Sequence, residues 1–145
     1  RATHLVKVAC EAAFGERPYL EVYGTDYPTE DGTCIRDYIH VTDLVRAHLD
    51  ALRYLRDGGD SQVLNCGYGK GFSVLDVVDS VKRVSENDFP VRLAPRRPGD
   101  PAAIVARADR IGELLGWRPE LNDLDTIVGH ALAWQKRLID VRAAS

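Results

Sequence analysis

Apolar and polar positions along the chain alternate between helical and extended spacing in short blocks. Leu5, Val6, Val8, Ala9, Ala12 and Ala13 recur close to every third or fourth residue and stop at Gly15, so a helix without a capping residue is expected there. The stretch PYLEVYG alternates between Pro18 and Gly24 and reads as a short strand, followed by turn chemistry in TDYPTEDGT. Arg36 to Val41 (RDYIHV) is rich in β-branched and aromatic residues, which predicts a strand running straight into a helix at Thr42 or Asp43. That helix puts Leu44, His48, Ala51, Leu52 and Leu55 on one stripe and ends at Gly58 and Gly59.

A strand is expected at QVLNCG. Ser73 with Asp76 then forms a capping box for a helix whose inner face is Val74, Val77, Val78 and Val81. PVRLA reads as another strand and ADRIGELLGW as a short helix. A longer helix is capped by Asn122 and striped by Leu124, Ile127, Val128, Ala131 and Leu138. The order is that of one compact α/β lobe with a small sheet.

Length and charge narrow the function. With 145 residues and 45% hydrophobic content there is one core and no room for two ordinary domains. No apolar run approaches the ~20 residues that span a bilayer, so the expectation is a cytoplasmic protein without a membrane partner. A formal charge of −3 argues against a nucleic-acid surface and leaves anion binding to a few placed cations. Cys10, Cys34 and Cys66 are odd in number and lack zinc spacing, so they read as reduced, apolar thiols. The chain contains no methionine and starts at Arg1, which suggests a part of a longer polypeptide.

Candidate chemistry is sparse. Gly67, Gly69 and Gly71 lie between a strand and a helix, but as G-x-G-x-G, which fits neither a dinucleotide fingerprint nor a phosphate loop. They read as a turn accepting positive φ, with Lys70 free to lean toward a phosphate. His40 and His130 have no partner at ligand spacing, and His48, on the apolar stripe, reads as a core histidine; no metal is expected. The doubled arginine of APRRPGDPA is different. Arg36 and Arg97 each sit where strand meets turn, and planar guanidinium groups can bond a phosphate in two places. The competing reading pairs Arg36 with Asp37 or Asp43, and Arg97 with Asp100, as ordinary surface ion pairs.

EVYGTDYPTEDGTCIRDYIHVTDLVRAHLDAL, LNCGYGKGFSVLDVV and APRRPGDPA together resemble the carboxyl-terminal half of the UDP-glucose 4-epimerases, within the extended short-chain dehydrogenase/reductase family. The likeness runs from about His4 to Leu138. It implies that residues 1–145 are a UDP-sugar-binding lobe, with short mixed sheet and flanking helices, lacking the Rossmann half that holds NAD and the catalytic Tyr-x-x-x-Lys pair. No tyrosine here has a lysine four residues later. By the same resemblance Arg36 and Arg97 hold the diphosphate and Asp100 bonds the ribose. Glu21, Val22 and Tyr23 form the uracil platform, with backbone groups reading the base edge, and His4 and Leu5 touch the nucleotide near the sugar.

The implied reaction is inversion at C4 of UDP-glucose or UDP-galactose through a 4-keto sugar, by a homodimer when full-length. Ile104 stands where many members have a tyrosine, which predicts room for N-acetylated UDP-hexoses. Arg107 replaces a usual acidic residue. Two alternatives stay open: a stand-alone UDP-binding or interaction module, and part of another NAD-dependent nucleotide-sugar dehydratase or decarboxylase.

Overall fold

In the computed structural model residues 3–144 are described. The chain runs α1 (Leu5–Ala13), β1 (Leu20–Tyr23), β2 (Ile35–Arg36), α2 (Val41–Arg56), β3 (Phe72–Ser73), α3 (Val74–Ser85), β4 (Val91–Ala94), β5 (Ala103–Ile104), α4 (Asp109–Leu115) and α5 (Leu124–Ala143). This is the expected α/β class, but the strands form two small sheets rather than one. β1 and β4 pair in parallel, while β2 lies between antiparallel β3 and parallel β5.

The main core lies where α1, α3 and α5 meet. Val77, Val78 and Val81 of α3 pack with Ala9, Cys10 and Ala13 of α1 and with Val128 and Leu132 of α5, and Leu20 and Val22 of β1 close the cluster. Each fully buried valine or leucine contributes about 1.5–3 kcal/mol, so this cluster dominates the lobe. α3 starts as its sequence predicts: Asp76 N–H donates to Ser73 Oγ at 2.9 Å, and Ser73 N–H donates to the Asp76 carboxylate at 2.8 Å. On α5 the cap is Asp123 rather than Asn122, accepting from Thr126 N–H at 2.8 Å. Its buried stripe continues through Leu132 and Gln135 rather than Ala131 and Leu138.

Three expectations are corrected. The predicted strand at QVLNCG has no ladder among the described residues, because no neighbouring strand lies beside it; Val63 is 88% exposed. The predicted strand over 36–41 shrinks to Ile35–Arg36, because side chains take the backbone groups beyond it. Asp37 accepts the Ala106 N–H at 2.9 Å, and His40 N–H donates to the Tyr68 hydroxyl at 3.0 Å.

The third correction concerns α2. Its buried positions are Asp43 and Ala47, with Asp50 and Tyr54 half-buried below them, whereas His48, Leu52 and Leu55 of the expected stripe are exposed. Ala47 packs against Ile111 of α4 and Trp117, and the Asp43 carboxylate is fully buried, so polar anchoring sets the helix rotation. Val41, Val45, Leu49, Leu52 and Leu55 are left on an open face.

In the glycine turn only Gly69 has positive φ, at 67°. Gly71 is needed for close approach instead: a Cβ there would lie 2.4 Å from Ile35 Cγ2, inside the β2–β3 contact.

Candidate functional site

Strand β1, the turn after β4, strand β2, the segment leading into α2, the start of α1 and the His130–Trp134 side of α5 line an open cleft of about 1100 Å³. Parallel pairing carries β4 beside β1, so that the turn after Ala94 brings Arg97 and Asp100 back over β1. β2 delivers Arg36 from the other side. The structure therefore gathers His4, Leu5, Glu21, Tyr23, Arg36, Arg97 and Asp100 around one hollow.

The Val22 side chain goes elsewhere, fully buried in the core, which leaves its backbone as the part available to a base. Ile104 is not on the cleft lining; it is about half exposed on β5, in register with Arg36. Register partners on adjacent strands project to the same face.

Neither arginine makes the ion pair that spacing offered. Arg36 Nη2 lies 3.9 Å from Asp100, and Arg36 Nη1 donates to the Ile35 carbonyl at 2.7 Å. Asp37 and Asp43 are engaged elsewhere. Arg97 accepts the Asp100 N–H on its carbonyl at 3.3 Å, while its guanidinium carbon lies 3.7 Å from the Tyr23 ring centroid. Its neighbour Arg96 has a separate job: Nε donates to Asp26 at 2.6 Å and the guanidinium covers the Tyr27 ring. The doubled arginine thus splits into one residue that fastens the turn and one that faces the cleft.

Lys70 sits 4.9 Å over the Phe72 ring rather than on the cleft lining, and the exposed Arg107 pairs with Asp109 at 2.8 Å. His48 is exposed on α2 with Nδ1 2.8 Å from the Leu44 carbonyl, not a core residue.

Sequence reasoning missed Tyr38, Tyr19, His130 and Trp134, all on the cleft lining. Tyr38 was findable, since it follows Arg36 by two residues in an extended segment and so shares its face. Burial pushes its phenol up to about 12, so it remains a donor near neutral pH. His130 was not findable, because its partner His40 is ninety residues away.

Thr42 N–H donates to His40 Nδ1 at 3.0 Å, which makes a histidine the cap of α2. Nδ1 therefore carries no proton, and Nε2–H donates to His130 Nδ1 at 2.7 Å. Both rings must be neutral for both bonds to exist. Burial, and then the nearby His130, lower the His40 pKa against the opposing pull of Asp43.

A depressed histidine pKa stabilises the fold above the unfolded value of about 6.5, and that stability is lost as pH falls through it. His40→Asn keeps a capping side chain but removes the titration. Thermal melts should therefore show a smaller loss of stability between about pH 7.5 and 5.5 in this variant than in the parent. Equal slopes would contradict the neutral pair.

No metal-holding cluster occurs among the described residues, and none of their helices is long and apolar enough to cross a membrane. The thiols are free; burial pushes Cys10 up to about 11, which leaves it inert. After the glycine turn Ser73 and Asp76 cap the start of α3 for one another, and a Cβ on Gly71 would meet Ile35 and Val105.

The pattern of the NAD dependent epimerase/dehydratase family matches residues 3–67. Within it the similarity is to UDP-glucose 4-epimerases. The enzyme of that name from Azospirillum brasilense is 58% identical over 137 residues, covering 94% of this chain and 39% of its own length. The solved UDP-Glc/GlcNAc 4-epimerase of Campylobacter jejuni superposes with a TM-score of 0.87 at 48% identity, covering 94% of this chain and 42% of that one. The Stenotrophomonas maltophila UDP-glucose-4-epimerase, solved with bound NAD and formylated UDP-arabinopyranose, gives 0.92 at 38% identity, with 97% and 41% covered. The chain thus spans about two fifths of the length of the relatives it matches.

Proposed function

We propose that this chain is the nucleotide-gripping lobe of an NAD-dependent UDP-glucose 4-epimerase, which interconverts UDP-glucose and UDP-galactose. The observation that carries this reading is the gathering of Arg36, Arg97, Asp100, Glu21 and Tyr23 around one cleft. Arg36 and Arg97 take the diphosphate, Asp100 the ribose hydroxyls, and Glu21, Val22 and Tyr23 the uracil. His4 and Leu5 lie toward the sugar. Gripping the remote nucleotide brings the hexose to the cofactor without fixing one of its faces, which is what a turn-over of the 4-keto sugar requires.

The lobe contributes no group to the proton and hydride steps. NAD and the catalytic pair belong to the remainder of the enzyme, which works as a cytoplasmic homodimer. Ile104 lies just outside the cleft lining, in register with Arg36, where a larger side chain would reach toward the pocket. The proposal therefore includes N-acetylated UDP-hexoses as substrates, like those named for the Campylobacter jejuni relative.

Titration calorimetry of this chain tests the division of labour. UDP, UDP-glucose and UDP-N-acetylglucosamine are expected to bind with affinities within about threefold of one another, since the nucleotide supplies the grip. NAD is expected to give no heat. NAD binding in the absence of UDP binding would overturn the reading, and rejection of the acetylated sugar alone would remove Ile104 from it.

A further inference from the structure

Arg36 and Arg97 face the same cleft but are held by different means. Arg36 has a carboxylate 3.9 Å away and a carbonyl on its own strand. Arg97 has no ion-paired carboxylate among the described residues, and lies against the face of Tyr23 at 3.7 Å. Tyr23 ends β1, and its hydroxyl donates to the Glu21 carboxylate at 2.5 Å. Residues two apart on a strand share a face, so this bond ties the ring at its far end to the strand that already holds its near end.

The two arrangements have different consequences for an incoming anion. A carboxylate that holds a guanidinium uses its N–H donors, and a phosphate must compete for them. An aromatic face holds it through the ring's negative face and dispersion, leaving the in-plane donors free. Arginine otherwise has a flexible stem, and the Pro98–Gly99 turn orients only the backbone. The Tyr23 ring is what orients the charged end.

We propose that Tyr23, fixed by Glu21, is the positioning residue for Arg97: it keeps the guanidinium flat and its donors free, so that a diphosphate meets a cation already aimed. The proposal rests on the diphosphate reading of the cleft. It also divides the ring between two tasks, since a base stacking on Tyr23 has only the face that Arg97 leaves open.

Inorganic pyrophosphate separates this role from base stacking because it has no base. Its affinity and that of UDP would be measured for the parent chain, Tyr23→Phe, Tyr23→Leu, Arg97→Gln and the Tyr23→Leu/Arg97→Gln double variant. Loss of the ring in Tyr23→Leu is expected to weaken pyrophosphate roughly 3- to 30-fold. Tyr23→Phe, which keeps the ring and loses only the tie to Glu21, should fall in between. In the Arg97→Gln background Tyr23→Leu should cost pyrophosphate nothing more. The Arg97 Nε–Hε proton should be shifted upfield by the ring in the parent chain and return to its ordinary position in Tyr23→Leu, with the rest of the spectrum still folded.

Pyrophosphate affinity unchanged in Tyr23→Leu while UDP weakens would show that Tyr23 serves the base alone, and would overturn the proposal. An unshifted Arg97 proton in the parent chain would overturn it as well. A parent chain that binds neither pyrophosphate nor UDP would sink the diphosphate reading and this proposal together, an outcome distinct from either of those.

Discussion

Replacing Arg36 and Arg97 together by glutamine is expected to weaken UDP binding by about 10²- to 10⁴-fold, because each removes a charge-assisted bond worth roughly 1.5–3 kcal/mol. The two single variants should not be equal. Without Arg36, the Asp100 carboxylate remains in the cleft with its cation gone and repels the phosphates; without Arg97, what remains is an uncovered tyrosine ring. Arg36→Gln should therefore cost more than Arg97→Gln. Both losses should shrink in high salt, which screens partly exposed charges. Calorimetry with UDP across the four proteins measures this directly, and a double variant that binds like the parent would remove the cleft from consideration as a nucleotide site.

The largest expected effect on stability comes from Asp43→Ala. Its fully buried carboxylate accepts from the Tyr68 hydroxyl at 2.8 Å and from the backbone amides of Leu121 at 2.9 Å and Glu120 at 3.2 Å, with Arg46 3.5 Å away. It joins the start of α2 to the segment between α4 and α5, and its own carbonyl accepts the Trp117 indole N–H at 3.0 Å. Burial alone would raise its pKa; the Leu121 amide, the Tyr68 hydroxyl, the Glu120 amide and the Arg46 charge outweigh it and hold the carboxyl below the usual carboxylate range.

Truncation leaves those donors buried without an acceptor, which should cost about 3–5 kcal/mol in urea unfolding followed by tryptophan fluorescence. The sign with pH follows from the lowered value. The carboxylate stabilises the fold above the unfolded pKa of about 3.9, and that contribution is lost as pH falls through the folded pKa. The parent's acid unfolding should therefore be steeper below about pH 4 than that of Asp43→Asn. A loss within ~0.5 kcal/mol for Asp43→Ala would place this position among ordinary surface sites.

Much of the architecture was legible in local patterns. The Ser73–Asp76 box, the valine face of α3, the turns at Gly15 and Gly58, and the strands at 20–23 and 91–94 all depend on groups within a few residues of one another, so a linear reading recovers them. The cleft residues Arg36, Arg97 and Asp100 were legible as candidates, through residue chemistry and through resemblance over long motifs.

Whatever depended on a distant partner was not. QVLNCG has the composition of a strand and no ladder among the described residues, since a strand exists only against another. The leucine stripe of α2 has helical spacing yet faces outward, because the burial of Asp43 and Ala47 against Trp117 and Ile111 sets the rotation. His40 with His130, Arg36 with Asp100 and Tyr23 with Arg97 are separated by tens of residues. Order along the chain dictated where the helices form and which side chains could bind an anion; the folded packing decided which extended segments become strands and which residues meet, because contact across the chain follows from how the helices and the two small sheets close together and from no spacing that the chain carries.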